Sequence, residues 1–255
     1  MEKKLIVVRE PNGTVTVTIN RPSIRNAIDY DVMDELVVVL DEVERHPEDK
    51  VLVITGQGEE AFCSGGDLSV FHSLHTKEEA KEMLMKMGMI LYRLFFFPKV
   101  TVAAINGTAV GGGCELAISC DYRIAASHAK VGFVQGGLGI TTGWGGSTFL
   151  SERIGATQAM KALLSCKRFN AEEAHAMRII DSVLAKSNFK MESKEWISPL
   201  LHSSMPVLKT YKQRMLDRFD KENIKRRIMR EIDECAVLWA SEEHHEAVKK
   251  FLRKS

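Results

Sequence analysis

Residues 102–126, VAAINGTAVGGGCELAISCDYRIAA, decide how this chain is read. The stretch opens inside a compact apolar run, residues 100–105, which predicts a buried strand. Asn106 and Gly107 then interrupt it. Residues 111–119 begin with three glycines and continue with apolar side chains, which predicts a short buried helix, and residues 122–126 predict another strand. Strand, glycine turn, buried helix and strand make an α/β unit rather than separate α and β regions.

The units on either side agree. Toward the N-terminus, TVTVTI at residues 14–19 alternates as a half-buried strand does, and Asn12-Gly13 supplies the turn of a hairpin with residues 5–8. Asp29 and Asp31 precede helically spaced Val32, Met33, Leu36, Val39, Leu40 and Val43, a helix that ends near His46 before Pro47. A strand at 51–55, a loop rich in glycine at 56–66 and a methionine-rich helix at 76–96 follow, the last stopped by Pro98. Toward the C-terminus, segments 144–154, 156–164 and 171–178 predict helices, and 181–184 a short strand.

Composition excludes several classes of protein. The 255 residues are 45% hydrophobic and 27% charged with a net charge of +1, the balance of an ordinary globular chain rather than a disordered or fibrous one. No apolar run reaches the ~20 residues of a membrane helix, and near-neutral charge argues against nucleic acid as a partner. The five cysteines follow no disulfide pattern and MEKKLIVVRE is not a signal peptide, so a reduced, cytoplasmic setting is expected. Residues 196–255 carry 13 Lys or Arg against 9 Asp or Glu, leaving 22 against 25 for residues 1–195. We therefore divide the chain into a core, 1–195, and a basic helical region, 196–255, whose densest run, KENIKRRIMR at 221–230, reads as the solvated face of an amphipathic helix, with contacts to phosphates as the alternative.

Eleven of the 18 glycines fall between Gly107 and Gly146, and function is sought there. Two loops stand out, AFCSGGDL at 61–68 and INGTAVGGGCEL at 105–116, each between a predicted strand and a predicted helix. Unpaired amides at such turns can serve as oxyanion donors, and the helix starting near Gly111 adds its positive end. Glu115 lies one helical turn beyond the glycines, placed either to move a proton on a substrate held by them or to satisfy the helix start. Other chemistries fit less well. Neither loop is a phosphate-binding P-loop, and residues 137–143 match a dinucleotide loop only loosely. Cys63, Cys114 and Cys120 lack a His partner at motif spacing and read as packing residues, whereas His72 and His75 read as a solvated pair, so no metal is expected. Ser147 lies outside a Gly-x-Ser-x-Gly elbow and is expected to be structural.

Several ordered segments together resemble the crotonase (enoyl-CoA hydratase/isomerase) family: NRPSIRNA at 20–27, VITGQGEEAFCSGGDL at 53–68, residues 102–126 and 138–155, and AEEA at 171–174. The resemblance spans residues 5–190 and continues more weakly to the end. It implies a ββα spiral core with a helical C-terminal trimerisation region, trimers commonly paired into hexamers, and an acyl-CoA thioester substrate with no separate cofactor. It implies that the N–H groups of Gly66 and Gly112 receive the thioester oxygen, that Gly66, Asp67, Leu68 and Ser69 border the CoA and acyl chain, and that Glu115 is the first of two catalytic glutamates. Arg25 is a candidate cation for the CoA phosphates. The position of the second glutamate is occupied by Gln135, in KVGFVQGGLG at 130–139. The resemblance implies an enoyl-CoA hydratase/isomerase-like reaction through an oxyanion-stabilised enolate; a carboxamide does not titrate in the relevant range, so hydration by two carboxylates is not expected to run in its usual form, which leaves a reaction with one glutamate open. Phe133-Val134, Gly139-Ile140 and Trp144-Gly-Gly146 are locally similar to the ethylmalonyl-CoA decarboxylase branch, and losing carbon dioxide needs no base to begin. A third reading, an acyl-CoA-binding protein without chemistry, sits poorly with intact Gly66, Gly112 and Glu115.

Overall fold

The computed structural model describes residues 3–253; Lys254, counted above with the basic region, lies outside the described residues. The hairpin forms as expected: β1 (Leu5–Arg9) pairs antiparallel with β2 (Thr14–Ile19), and Asn12 closes the turn by accepting the Thr14 N–H. Asp29 caps α1 (Tyr30–Arg45), which buries the helically spaced apolar residues named above. After β3 (Val51–Gly56), the chain makes β4 (Ala61–Cys63), the single turn α2 (Leu68–Phe71) and the long α3 (Lys77–Phe95), opened by a capping box between Thr76 and Glu79. Then follow β5 (Val100–Ile105), β6 (Thr108–Val110), α4 (Gly112–Ser119), β7 (Tyr122–Ala126) and β8 (Lys130–Gly132).

The strands sort into two sheets. The larger has the order β1-β2-β3-β5-β7-β10, parallel except for β1, with β10 (Ser182–Leu184) on its far edge. The smaller has the order β4-β6-β8-β9, parallel except for the edge strand β9 (Phe169–Asn170). Three times in succession the chain gives a long strand to the first sheet and then a three-residue strand to the second: β3 then β4, β5 then β6, β7 then β8. Neither glycine loop signalled these short strands, because three residues are too few to show a two-residue period. They decide where the site lies. The three loops that leave the carboxyl ends of β4, β6 and β8 carry Gly66, Gly112 with Glu115, and Gln135, and the parallel pairing of those strands sets the loops side by side.

Helices cover the rest. A 3-10 turn at Gln135–Leu138 leads to α5 (Gly146–Ile154), α6 (Ala156–Ser165) and α7 (Ala171–Ala176). The C-terminal region continues with α8 (Phe189–Ile197), α9 (Met205–Leu216), α10 (Lys221–Trp239) and α11 (Glu242–Leu252). The 195/196 division falls inside α8. Helix α10 turns Ile224, Ile228, Ile232, Cys235 and Trp239 inward and packs along α3 and α5, with its basic residues on the outer face.

Candidate active site

Glu115 sits in the first turn of α4 with 3% of its surface exposed. Its Oε1 accepts from Gln135 Nε2 at 2.9 Å and from the Gly143 N–H at 3.4 Å, and its Oε2 accepts from the N–H groups of Trp144 and Gly146, both at 2.8 Å. Burial, and then the charge of Glu231, push its pKa up to about 8, against the opposing pull of the three amides. A carboxyl group so placed keeps its proton near neutral pH and can act as an acid.

The glycine loops meet beside it. A Cβ on Gly65 would stand 2.9 Å from the Gly112 nitrogen, which measures how closely the loops approach. Gly112 opens α4, so its N–H belongs to the helix-start donors that no intrahelical carbonyl can satisfy. The N–H groups of Gly66 and Gly112 find no protein acceptor among the described residues. Trp144 lies against both: a Cβ on Gly112 would fall 2.1 Å from the indole Cζ3, and one on Gly66 3.5 Å from Cζ2. Two unpaired amides next to a buried acid are the donors and the proton carrier that enolate chemistry needs.

These groups open into a cleft of about 550 Å³, walled by Leu68, Phe71, Met83, Leu84, Ile140 and Trp144. Arg25 and Arg168, both exposed, supply two cations to its lining. Asp67 and Ser69 make polar contacts within their own loop. Asp67 caps α2 through the Ser69 N–H, accepts the Ser69 hydroxyl at 2.6 Å and pairs with Arg21, so both side chains are used within the loop. Of the methionines in α3, Met83 and Met87 are buried, while Met85 and Met89 are partly so. A larger hollow of about 740 Å³ lies on the outer face of the six-stranded sheet beside α8, floored by Thr16, Thr18 and Thr55. It touches none of Gly66, Gly112, Glu115 or Gln135, so size does not mark the site.

Burial pushes Cys63 and Cys120 up to about 12 and raises Cys114 as well, so these thiols stay protonated and are poor nucleophiles. His72 and His75 are exposed, and no cluster of three metal-binding side chains occurs among the described residues. Ser147 donates to Glu231. Sequence reading missed Arg168, which lies in no motif, and Glu231, which sits among charged residues of an amphipathic helix.

Fold and site together define an α/β protein that holds two free amides and a buried acid at the carboxyl ends of short parallel strands. The family model described as enoyl-CoA hydratase/isomerase matches residues 9–255, and the chain belongs to that family. It is similar to the short-chain-enoyl-CoA hydratase of Clostridium acetobutylicum, 32% identical over 254 residues, covering 100% of this chain and 97% of the relative. It is similar to the ethylmalonyl-CoA decarboxylase of Homo sapiens, 30% identical over 245 residues, covering 95% and 79% respectively. Among solved structures, an enoyl-CoA hydratase from Bacillus halodurans superposes with a TM-score of 0.88 at 25% identity, covering 97% of this chain and 99% of the other.

Proposed function

We propose that this protein acts on an acyl-CoA thioester through an enolate, with Glu115 as its single proton carrier, and that decarboxylation of a malonyl-type acyl-CoA is the reaction its site suits best. One observation carries the choice: the carboxyl group beside the paired amides is partnered by a carboxamide, Gln135, where a two-carboxylate hydration needs a second acid.

In this reading the thioester oxygen accepts from the N–H groups of Gly66 and Gly112. The substrate carboxylate stands out of the thioester plane, and the bond from Cα to that carboxylate breaks. Its electron pair flows into the enolate, whose oxygen the two amides stabilise, and carbon dioxide leaves. Protonated Glu115 then delivers its proton to Cα and regains one from solvent. Gln135 Nε2 keeps a second N–H beyond the one given to Glu115, available to the substrate carboxylate, where a glutamate would repel it. The hydrophobic wall receives the acyl group, and Arg25 and Arg168 reach the CoA phosphates. The subunit is proposed to be a ββα spiral that assembles as a trimer or hexamer and works in the cytoplasm.

The test is carbon dioxide release from ethylmalonyl-CoA and methylmalonyl-CoA. Release is expected from at least one, with kcat falling as pH rises through about 8, where Glu115 loses its proton. Glu115→Gln is expected to lower kcat by ~10²-fold or more. No release above background from either substrate overturns the decarboxylase reading. Hydration of a short enoyl-CoA would then take its place, a second reading favoured by the 32% identity to the clostridial hydratase.

A further inference from the structure

Glu231 is a carboxylate on α10 with 7% of its surface exposed, in the region that by sequence looked like a basic appendage. Five bonds hold it. Oε1 accepts from Thr142 Oγ1 at 2.6 Å and the Ser147 N–H at 3.2 Å, and Oε2 accepts from Ser147 Oγ at 2.6 Å, the Thr148 N–H at 3.1 Å and Thr148 Oγ1 at 2.9 Å. No cation pairs with it among the described residues: Arg227, one turn earlier, reaches Glu152 and Ser151, and Arg230 pairs with Glu234.

The pattern becomes informative beside that of Glu115. Gly146, Ser147 and Thr148 are the first three residues of α5, and their N–H groups are orphan donors of a helix start. Gly146 gives its N–H to Glu115, whereas Ser147 and Thr148 give theirs to Glu231. Two buried carboxyl groups from different helices thus divide one helix end. The segment between Thr142 and Gly146 supplies the amides that hold Glu115, and Glu231 fixes that segment at both ends.

We propose that Glu231 is a positioning residue for Glu115: it grips residues 142–148 so that the amides of Gly143, Trp144 and Gly146 meet the Glu115 carboxyl group. Burial first, and then the neighbouring Glu231 carboxylate, raise the pKa of Glu115. Other titratable groups near Glu115 do not offset this. Cys235 on α10, Cys114 on α4 and Cys63 on β4 are neutral thiols, α3 presents Met83 and Leu84, and Glu152 and Arg153 at the far end of α5 are paired with Arg227 and Asp121. The catalytic consequence rests on the enolate reading above. The positioning itself does not.

The test therefore begins without turnover, by infrared titration of the ligand-free protein, following the protonated-carboxyl band that Glu115→Gln removes. Glu231→Gln keeps the side chain's shape and removes its charge; Glu231→Asp keeps the charge and shortens the reach. The band's midpoint is expected to fall by about one pH unit in the Gln variant and to stay near the wild-type value in the Asp variant. An unchanged midpoint in Glu231→Gln, or an equal fall in Glu231→Asp, overturns the proposal. Should the Gln variant fail to fold, Glu231→Asp decides against wild type: a midpoint that falls by about one pH unit although the charge is retained overturns the proposal. With a substrate that is turned over, the alkaline limb of kcat is expected to move with the band. If no acyl-CoA is turned over, the enolate reading fails while the infrared result stands by itself.

Discussion

Glycine at position 112 places a bare peptide N–H where a side chain would collide with Trp144. Gly112→Ala puts a methyl group 2.1 Å from the indole Cζ3 in the unrelaxed structure, so either the ring or the amide must move. Because the indole is packed in the main core, the amide is expected to yield, and loss of one oxyanion donor costs ~10²- to 10³-fold in kcat. Steady-state kinetics on the accepted acyl-CoA, with circular dichroism to verify folding, checks this; a kcat within a few-fold of wild type removes Gly112 from the oxyanion role. At this scale much was legible. Glu115 could be singled out because glycines and the carboxylate lie within one helical turn of sequence. Trp144 was visible only as part of a motif, since its place beneath Gly112 depends on a contact across 32 residues.

Among the elements, α9 is the one whose attachment does not follow from its apolar pattern. Its buried residues are Lys212 and Leu216, and Lys212 forms an ion pair with Asp121, the residue immediately before β7. Asp121 also accepts from the Thr101 N–H and hydroxyl and pairs with Arg153, so one carboxylate ties α9 and α5 to the main sheet. Removing Lys212 takes one of two cations from Asp121, which keeps Arg153 and the Thr101 donors, so Lys212→Met is expected to lower stability by about 2 kcal/mol. Urea unfolding measures it, and an unchanged midpoint would show that α9 is held by packing alone. Long elements were readable because their periods repeat: α1 and α3 begin at their capping residues and end within a residue or two of expectation. The strands β4, β6, β8 and β9 were not, since two or three residues in or beside glycine-rich loops show no two-residue period, although β10, equally short, was expected.

Over the whole molecule, apolar side chains remain uncovered on the isolated chain. Leu164 is 78% exposed and Tyr211 67%, with Met160 beside the first on α6 and Val207 and Met215 flanking the second on α9. These are the surfaces at which the proposed assembly is expected to make its contacts. Light scattering is expected to give a mass of three or six copies of the 28.6 kDa chain, and a mass of one copy would overturn the assembly. No helix among the described residues is long and apolar enough to cross a membrane. Sequence by itself determined the α/β alternation, the two glycine loops and Glu115 beside them, because each rests on periodicity or on spacing within a short stretch, while the family came from the resemblance of several ordered motifs. Tertiary structure alone decided that three short parallel strands bring those loops to one cleft, and that Glu231, 116 residues beyond Glu115, shares a helix end with it. Both depend on burial and on amides left unpaired at a helix start, and a linear pattern does not say which distant side chain will meet them.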